Sequence, residues 1–360
     1  MAYIISCGIK EAEYSYTQQE IQKFVEQVFP MSSREKNRLM PVFENADITS
    51  RQFACPLEWF ENSHELEEVN ETYHKISLQY AKEAVERCLA HHKLINKVEA
   101  SEIEHIIFVS STGIATPTID AYLMDELQMN EYVKRTPIFG LGCAGGTSGV
   151  AKAFEWLKGN PESNVLLIAV ELCSLTFQHN DKSASNVVGA ALFADGAAAV
   201  LLAGDNSPLV NRTKGNLPYV LEASTRTKPH SQSVMGWKVV NTGFEVIFKK
   251  NIPKLVRTFW KEHIEDCLLN SRWKKEDLPF IIAHPGGKKV LESYVECLNL
   301  NPSVLEKSKN ILNKHGNMSS PTVLYVLEKV MQEEHKKGTR SLMTSLGPGF
   351  TSEIVQLEWV

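Results

Sequence analysis

IFGLGCAGGTSG, residues Ile138 to Gly149, is the stretch on which the reading of this chain turns. An apolar run reaches Leu141 and breaks at Gly142; Cys143 follows, then Ala144, Gly145 and Gly146. The residues after them predict a helix over Thr147 to Lys158, so a strand hands over to a helix at a glycine-flanked thiol. Cys143 is then either a small residue at a tight packing site or a nucleophile. The second reading has a mechanism. N–H groups of the first helical turn and the macrodipole lower a thiol's pKa from about 8.5, and glycines let a substrate approach closely.

Outward from this turn, strand-like and helical runs alternate. Strands are expected at Ala2–Ile9, His105–Ser111, Arg135–Gly142, Val165–Leu172 and Gly196–Gly204, and helices at Thr17–Val28 and Glu65–Leu94. This alternation predicts an α/β layered fold with a sheet buried on both faces. The second half then repeats the first. FIIAHPGG (Phe280–Gly287) echoes IIFVSSTG, and GNMSSPTVLYVLEKV (Gly316–Val330) imitates the cysteine turn and its helix, with Asn317 in the slot of Cys143. RSLMTSL and FTSEIVQLEWV repeat the closing strands VLLIAVEL and GAAAVLLAG. Five elements in one order at near-equal spacing predict an internal duplication, with halves 1–217 and 218–360 divided near Gly204–Leu217.

Composition bounds the function. The 360 residues are 43% hydrophobic and 22% charged, with 38 basic against 43 acidic side chains. Without a basic block, nucleic acid is not an expected partner. The longest apolar runs are strand-sized, so no membrane span is expected, and the N-terminus lacks the basic region of a signal peptide. Seven cysteines, odd in number and none in a CxxC pair, predict a reducing cytoplasm. Cys88 and His92 are four apart, but two ligands do not make a zinc site.

A nucleophilic thiol needs a base and donors for an oxyanion. His284 ends an apolar strand and precedes Pro285-Gly286-Gly287, which must turn. An imidazole there is held rigidly beside open space, as a base should be, or is a satisfied core histidine. Asn317 is a helix N-cap on residue type alone. Pseudo-symmetry would instead bring it to the helix terminus that carries Cys143.

GCAGG with its cysteine, AHPGG with its histidine and HGNMSS with its asparagine resemble the three signatures of type III polyketide synthases, the chalcone/stilbene synthase family. FADGAAAV (Phe193–Val200) and the LGPG turn (Leu346–Gly349) extend the resemblance along nearly the whole chain. It implies a thiolase-like fold, internally duplicated as five layers αβαβα, and a homodimer that needs no metal, cofactor or carrier protein. Acyl-CoA and malonyl-CoA would be the substrates. Cys143 would carry the acyl thioester, paired as thiolate with His284. His284 and Asn317 would donate to the thioester carbonyl and to the enolate formed when malonyl-CoA loses CO2.

The same resemblance makes Phe193 a gatekeeper between the CoA tunnel and the cavity, and places Cys173, Thr176, Val246, Ser319 and Gly287 around the substrate. Thr116, in GIATPT, would reach the partner subunit, and Arg51 would be a CoA contact. Val246 stands where plant enzymes carry a second gatekeeping phenylalanine, and SLGPG replaces their GFGPG. GLGCAGG, ELCSLTF and ATPTIDA are more similar to the bacterial branch that makes alkylpyrones from fatty acyl-CoAs. A long-chain acyl starter is therefore expected. The alternatives are a ketoacyl-ACP synthase III, which condenses once on a carrier protein, and a papain-like hydrolase, whose cysteine signature is absent.

Overall fold

A computed structural model describes residues 1–29, 31–249 and 251–360. The chain starts with β1 (Ala2–Glu11). A short antiparallel pair, β2 (Tyr14–Thr17) and β3 (Ser50–Phe53), encloses α1 (Gln18–Val28), α2 (Ser33–Leu39) and α3 (Pro41–Asn45). Helix α1 starts at Gln18 because Thr17 caps it: the Thr17 hydroxyl accepts from Glu20 N–H, and Glu20 accepts from Thr17 N–H. Two otherwise orphaned donors are thereby satisfied. Helix α4 (Leu66–Leu89) buries Val69, Tyr73, Tyr80 and Ala84 at helical spacing and stops five residues short of the expected Leu94.

The rest of the first half is β4 (His105–Val109), α5 (Ile119–Glu126), β5 (Lys134–Ile138), α6 (Gly145–Gly159), β6 (Asn164–Leu172), α7 (Ala184–Leu192) and β7 (Asp195–Gly204). The second half opens with β8 (Pro218–Thr227) and the hairpin β9 (Met235–Val240) and β10 (Gly243–Phe248). Helices α8 (Ile252–Leu255) and α9 (Lys261–Ser271) lead to β11 (Ile282–Ala283). Then come α10 (Lys288–Leu298), α11 (Glu306–His315), α12 (Thr322–Met331), β12 (Arg340–Gly347) and β13 (Thr351–Trp359).

Nine strands hydrogen-bond in the order β11-β12-β13-β8-β1-β7-β6-β4-β5. From the middle outward, β1-β7-β6-β4-β5 and β8-β13-β12-β11 repeat one pattern. The two inner pairings of each run are antiparallel, and the pairings beyond them are parallel. In the sheet the halves are joined by the β1–β8 pairs Ala2↔Val220 and Tyr3↔Tyr219. The duplication is thus visible as topology, with β5 lacking a counterpart among the second-half strands.

Three apolar cores set the layers. Ile106 and Phe108 of β4 face one core with Phe24 of α1 and Tyr73 and Tyr80 of α4. Their neighbours Ile107 and Val109 face a second core, which holds Val150, Phe154 and Leu157 of α6 and Val323, Leu327 and Val330 of α12. The other wall of that core is Met343, Val355 and Leu357 from β12 and β13. A third core packs Leu342 and Ile354 against Trp260, Ile264 and Tyr294. The layers are therefore helix, sheet, helix, sheet, helix, and inner strands such as β6 and β7 are buried along their whole length because both faces are covered. Phe154 is fully enclosed between the halves, so truncating it to Ala would cost about 3–5 kcal/mol.

The central helices touch closely. A Cβ on Gly146 would lie 2.3 Å from the Ser320 carbonyl oxygen, a backbone atom that cannot yield. That contact brings the start of α6 against the loop before α12, where Cys143 and Asn317 lie.

Candidate active site

Cys143 lies in a single 3-10 turn, Gly142–Ala144, that runs directly into α6. The helix begins at Gly145, two residues earlier than the sequence predicts, because Gly145 takes up helical backbone angles. Gly142 has φ +47°, and a Cβ there would sit 3.0 Å from Pro348 of the LGPG turn. The glycines thus serve the left-handed turn and the close fit of neighbouring loops, while Cys143 keeps part of its surface open.

Asn317 meets the thiol. Its Oδ1 lies 3.8 Å from Cys143 Sγ and accepts the Ser319 N–H at 2.8 Å. That bond turns the amide NH2 the other way, where Nδ2 donates to the Gly286 carbonyl at 3.4 Å. Asn317 is not a helix cap: α12 begins at Thr322 with Pro321 in the cap position. Its backbone instead pairs with the segment Leu192–Ala194 of the other half, N–H to Leu192 O at 2.8 Å and O from Ala194 N–H at 3.0 Å. His284 follows the two-residue β11 and is held by its N–H on Thr344 O at 2.8 Å. Its ring is buried and neither ring nitrogen has a hydrogen-bond partner among the described residues. A histidine serving only as a satisfied core residue would have one.

The electrostatics differ from the sequence expectation. Burial pushes the Cys143 thiol up to about 11, ahead of the lowering bonds from Ser319 and Asn317. Burial alone drives the His284 imidazole down to about 3. Desolvation penalises the charged form of each group. In the ligand-free site burial thus favours the neutral thiol and the neutral imidazole.

Of the remaining sequence candidates, Phe193 forms a backbone bridge to Asn317, and its ring lies 5.6 Å from that of Trp237. Cys173 and Thr176 are buried in the turn after β6, where the Thr176 hydroxyl donates to Cys173 O at 2.7 Å. Val246 on β10 joins Cys173, Thr176 and Phe193 in lining one cavity of about 460 Å3, open mouth included. Ser319 is buried beside Asn317 at φ +58°. Gly287, at φ +151°, starts α10. Thr116 is exposed on the loop before α5 and lines none of this.

Arg51 is a correction. It is wholly buried on β3, with Nη1 donating to Phe193 O at 2.6 Å and Nε to Gln18 Oε1 at 3.1 Å. Burial lowers its pKa to about 9, and the Asp195 carboxylate opposes that. Arg51 braces the Phe193 backbone from inside and cannot meet a CoA phosphate. The sequence reading also passed over Glu171, the one charged residue in VLLIAVEL, which is buried with bonds reaching both halves of the site. A carboxyl inside an apolar strand was the available signal.

A half-buried cysteine, a histidine whose ring has no hydrogen-bond partner among the described residues and an asparagine amide thus lie at the junction of two like halves. Residues 24–206 match the chalcone and stilbene synthase N-terminal domain, and residues 220–360 the C-terminal domain. The chain belongs to the chalcone and stilbene synthase family: it is a type III polyketide synthase, an acyltransferase. It is 42% identical to a Bacillus subtilis (strain 168) protein named "Putative chalcone synthase", over 100% of this chain and 99% of that one. It is 33% identical to the 1,3,6,8-tetrahydroxynaphthalene synthase of Streptomyces peucetius subsp. caesius, over 96% and 90%. The crystal structure of the Streptomyces coelicolor A3(2) tetrahydroxynaphthalene synthase, described as a bacterial type III polyketide synthase, superposes with a TM-score of 0.91. Its identity is 24%, and 99% of each chain is covered.

Proposed function

We propose that this synthase loads a long-chain fatty acyl group from acyl-CoA onto Cys143, extends it with malonyl-CoA and releases an alkylpyrone-type product. The observation that carries this reading is the cavity. Beyond Cys173, Thr176, Phe193 and Val246 it is walled by Ile21, Phe24 and Val25 of α1 and by Phe53, Phe60 and Phe177. This lining is predominantly apolar, which suits an alkyl chain. Phenylalanine at Val246 would narrow the cavity.

In this mechanism the neutral pair acts at the moment of attack. Cys143 Sγ adds to the thioester carbonyl as its proton passes to a His284 ring nitrogen. The tetrahedral intermediate collapses, expelling CoA thiolate, which takes that proton, and leaves acyl-Cys143. Malonyl-CoA then loses CO2, and the C–C electron pair becomes an enolate whose oxygen accepts from Asn317 Nδ2. The enolate carbon attacks acyl-Cys143 and expels the thiolate, lengthening the chain by two carbons. A neutral amide suits the enolate, since a carboxylate would repel it. No metal or further cofactor is needed, because donors alone hold the charge. With Arg51 removed, the exposed Lys288 and Lys289 beside Gly287 are the candidates for the CoA phosphates.

We assign a homodimer and a cytoplasmic location to the same reading. The outer strand β5 is largely exposed, and Ile114, Tyr132 and Phe139 are exposed beside it at 48%, 83% and 62%. An open edge with large apolar side chains is a pairing surface, and Thr116 lies on the loop next to Ile114. No helix among the described residues is long and apolar enough to cross a membrane.

The test incubates the protein with an acyl-CoA series and labelled malonyl-CoA and identifies products by mass. Pyrones from long-chain starters, with two or more malonyl-derived units, support the reading. Extension of aromatic starters alone overturns the long-chain assignment. A single condensation that requires carrier protein overturns iteration.

A further inference from the structure

Behind the nucleophile lies a carboxyl that the mechanism does not use. Glu171 is fully buried near the end of β6. Its Oε2 accepts the Ser111 N–H at 2.9 Å, and its Oε1 accepts the Ser320 hydroxyl at 2.9 Å. Ser111 continues the first connection: its Oγ accepts N–H bonds from Gly140 at 3.2 Å and Gly142 at 3.3 Å, the backbone that presents Cys143. Ser320 continues the second, since it closes the Asn317–Ser320 loop whose Ser319 N–H orients the Asn317 amide. The Thr112 hydroxyl, on the same loop as Ser111, accepts from the Leu172 N–H next to Glu171 at 2.9 Å.

We propose that Glu171 is a positioning residue for the condensation: one buried carboxyl ties the turn beneath Cys143 to the loop that carries Asn317, and stands as a negative charge behind the thiol. The bonds cross from one half of the chain to the other, 149 residues apart at Ser320. They join the two groups that must act on one thioester at a fixed separation.

The titratable groups facing this charge are Cys143 in the nucleophile turn, Cys173 after β6 and Tyr73 of α4, whose hydroxyl donates to Ser110 at 2.8 Å. The Asp195 carboxyl of β7 acts with Glu171 on Cys173. All three facing groups are weak acids whose ionisation the carboxylate opposes. Burial raises the Glu171 carboxyl to about 7 against the bonds from Ser111, Ser320 and Thr112, so it changes charge in the neutral range. Cys143 and Glu171 therefore titrate in opposition: the thiol ionises more readily while Glu171 keeps its proton.

The test measures alkylation of Cys143 by iodoacetamide against pH, with the labelled peptide identified by mass, in the wild type, Glu171→Gln and Ser320→Ala. Each variant is also assayed for malonyl-CoA decarboxylation without starter. Glu171→Gln keeps the shape and removes the charge. Its alkylation midpoint should fall by on the order of one pH unit, a shift that loss of packing alone would not produce. Ser320→Ala cuts the tether to the Asn317 loop and should slow decarboxylation about tenfold while Cys143 remains alkylatable. An unmoved midpoint in a folded Glu171→Gln protein, or wild-type decarboxylation in Ser320→Ala, overturns the proposal. If Glu171→Gln does not fold, Ser320→Ala decides alone. The role rests on the synthase reading only where condensation is concerned. The alkylation midpoint needs no substrate, so the two ideas fail separately.

Discussion

The two halves of this protein share a strand order but present their functional residues differently. In the first half Cys143 sits in a 3-10 turn two residues before α6, and its thiol meets Asn317 Oδ1 at 3.8 Å. In the second, Asn317 stands five residues before α12, in a loop where the Ser319 N–H folds back on its amide oxygen. A left-handed residue adjoins each site, Gly142 at φ +47° before the cysteine and Ser319 at φ +58° after the asparagine. The repeated scaffold sets where the two helices point, and the local turn decides which atom enters the pocket. A thiol needs only a sharp corner. An amide needs one end held so that the other is free.

Changes on either side should therefore fail in different ways. Cys143→Ala removes the atom proposed to carry the chain, so condensation should fall by several orders of magnitude in a product assay. Asn317→Ala should lower malonyl-CoA decarboxylation by about 10²–10³, the usual loss for one oxyanion donor, while acyl loading of Cys143 persists. Equal loss of loading and decarboxylation would erase the division of labour.

The protonation states give the third test. With the thiol raised to about 11, its thiolate fraction, and hence alkylation, should keep climbing from pH 7 to 9 without levelling. A rate already flat across pH 6 to 8 would mean that Cys143 and His284 are paired as ions before substrate arrives. Fourth, Gly146→Ala drives a methyl into the Ser320 carbonyl and should lower stability by about 1–3 kcal/mol in urea unfolding. Smallest is Ser319→Gly. Relief of the left-handed strain, about 1–2 kcal/mol, is largely offset by glycine's extra freedom when unfolded. Its unfolding midpoint should move little, and a large loss would mean that the Ser319 side chain holds the loop.

Much of the site was legible because its signals are local. The glycines around Cys143, the turn after His284 and the repeat that aligned Asn317 with Cys143 all lie within short stretches, and the structure brings all three to one place. Helix ends were less legible, since Thr17 and Pro321 are caps whose roles depend on one hydrogen bond or one turn. Arg51 was misread because its sequence neighbours, ITSRQF, give no sign that Phe193 and Gln18 close over it from positions 142 and 33 residues away. Glu171 was missed for a like reason: its partners lie in two other loops.

By itself the sequence determined the order of elements and the duplication and singled out Cys143, His284 and Asn317, because periodicity, turn chemistry and side-chain type act over a few residues. Only the tertiary structure decided the charge each group carries. Cys143, His284, Arg51 and Glu171 all have pKa values set chiefly by burial. Burial is the work of distant segments meeting, and the free energy of an ion depends on what surrounds it rather than on what precedes it in the chain.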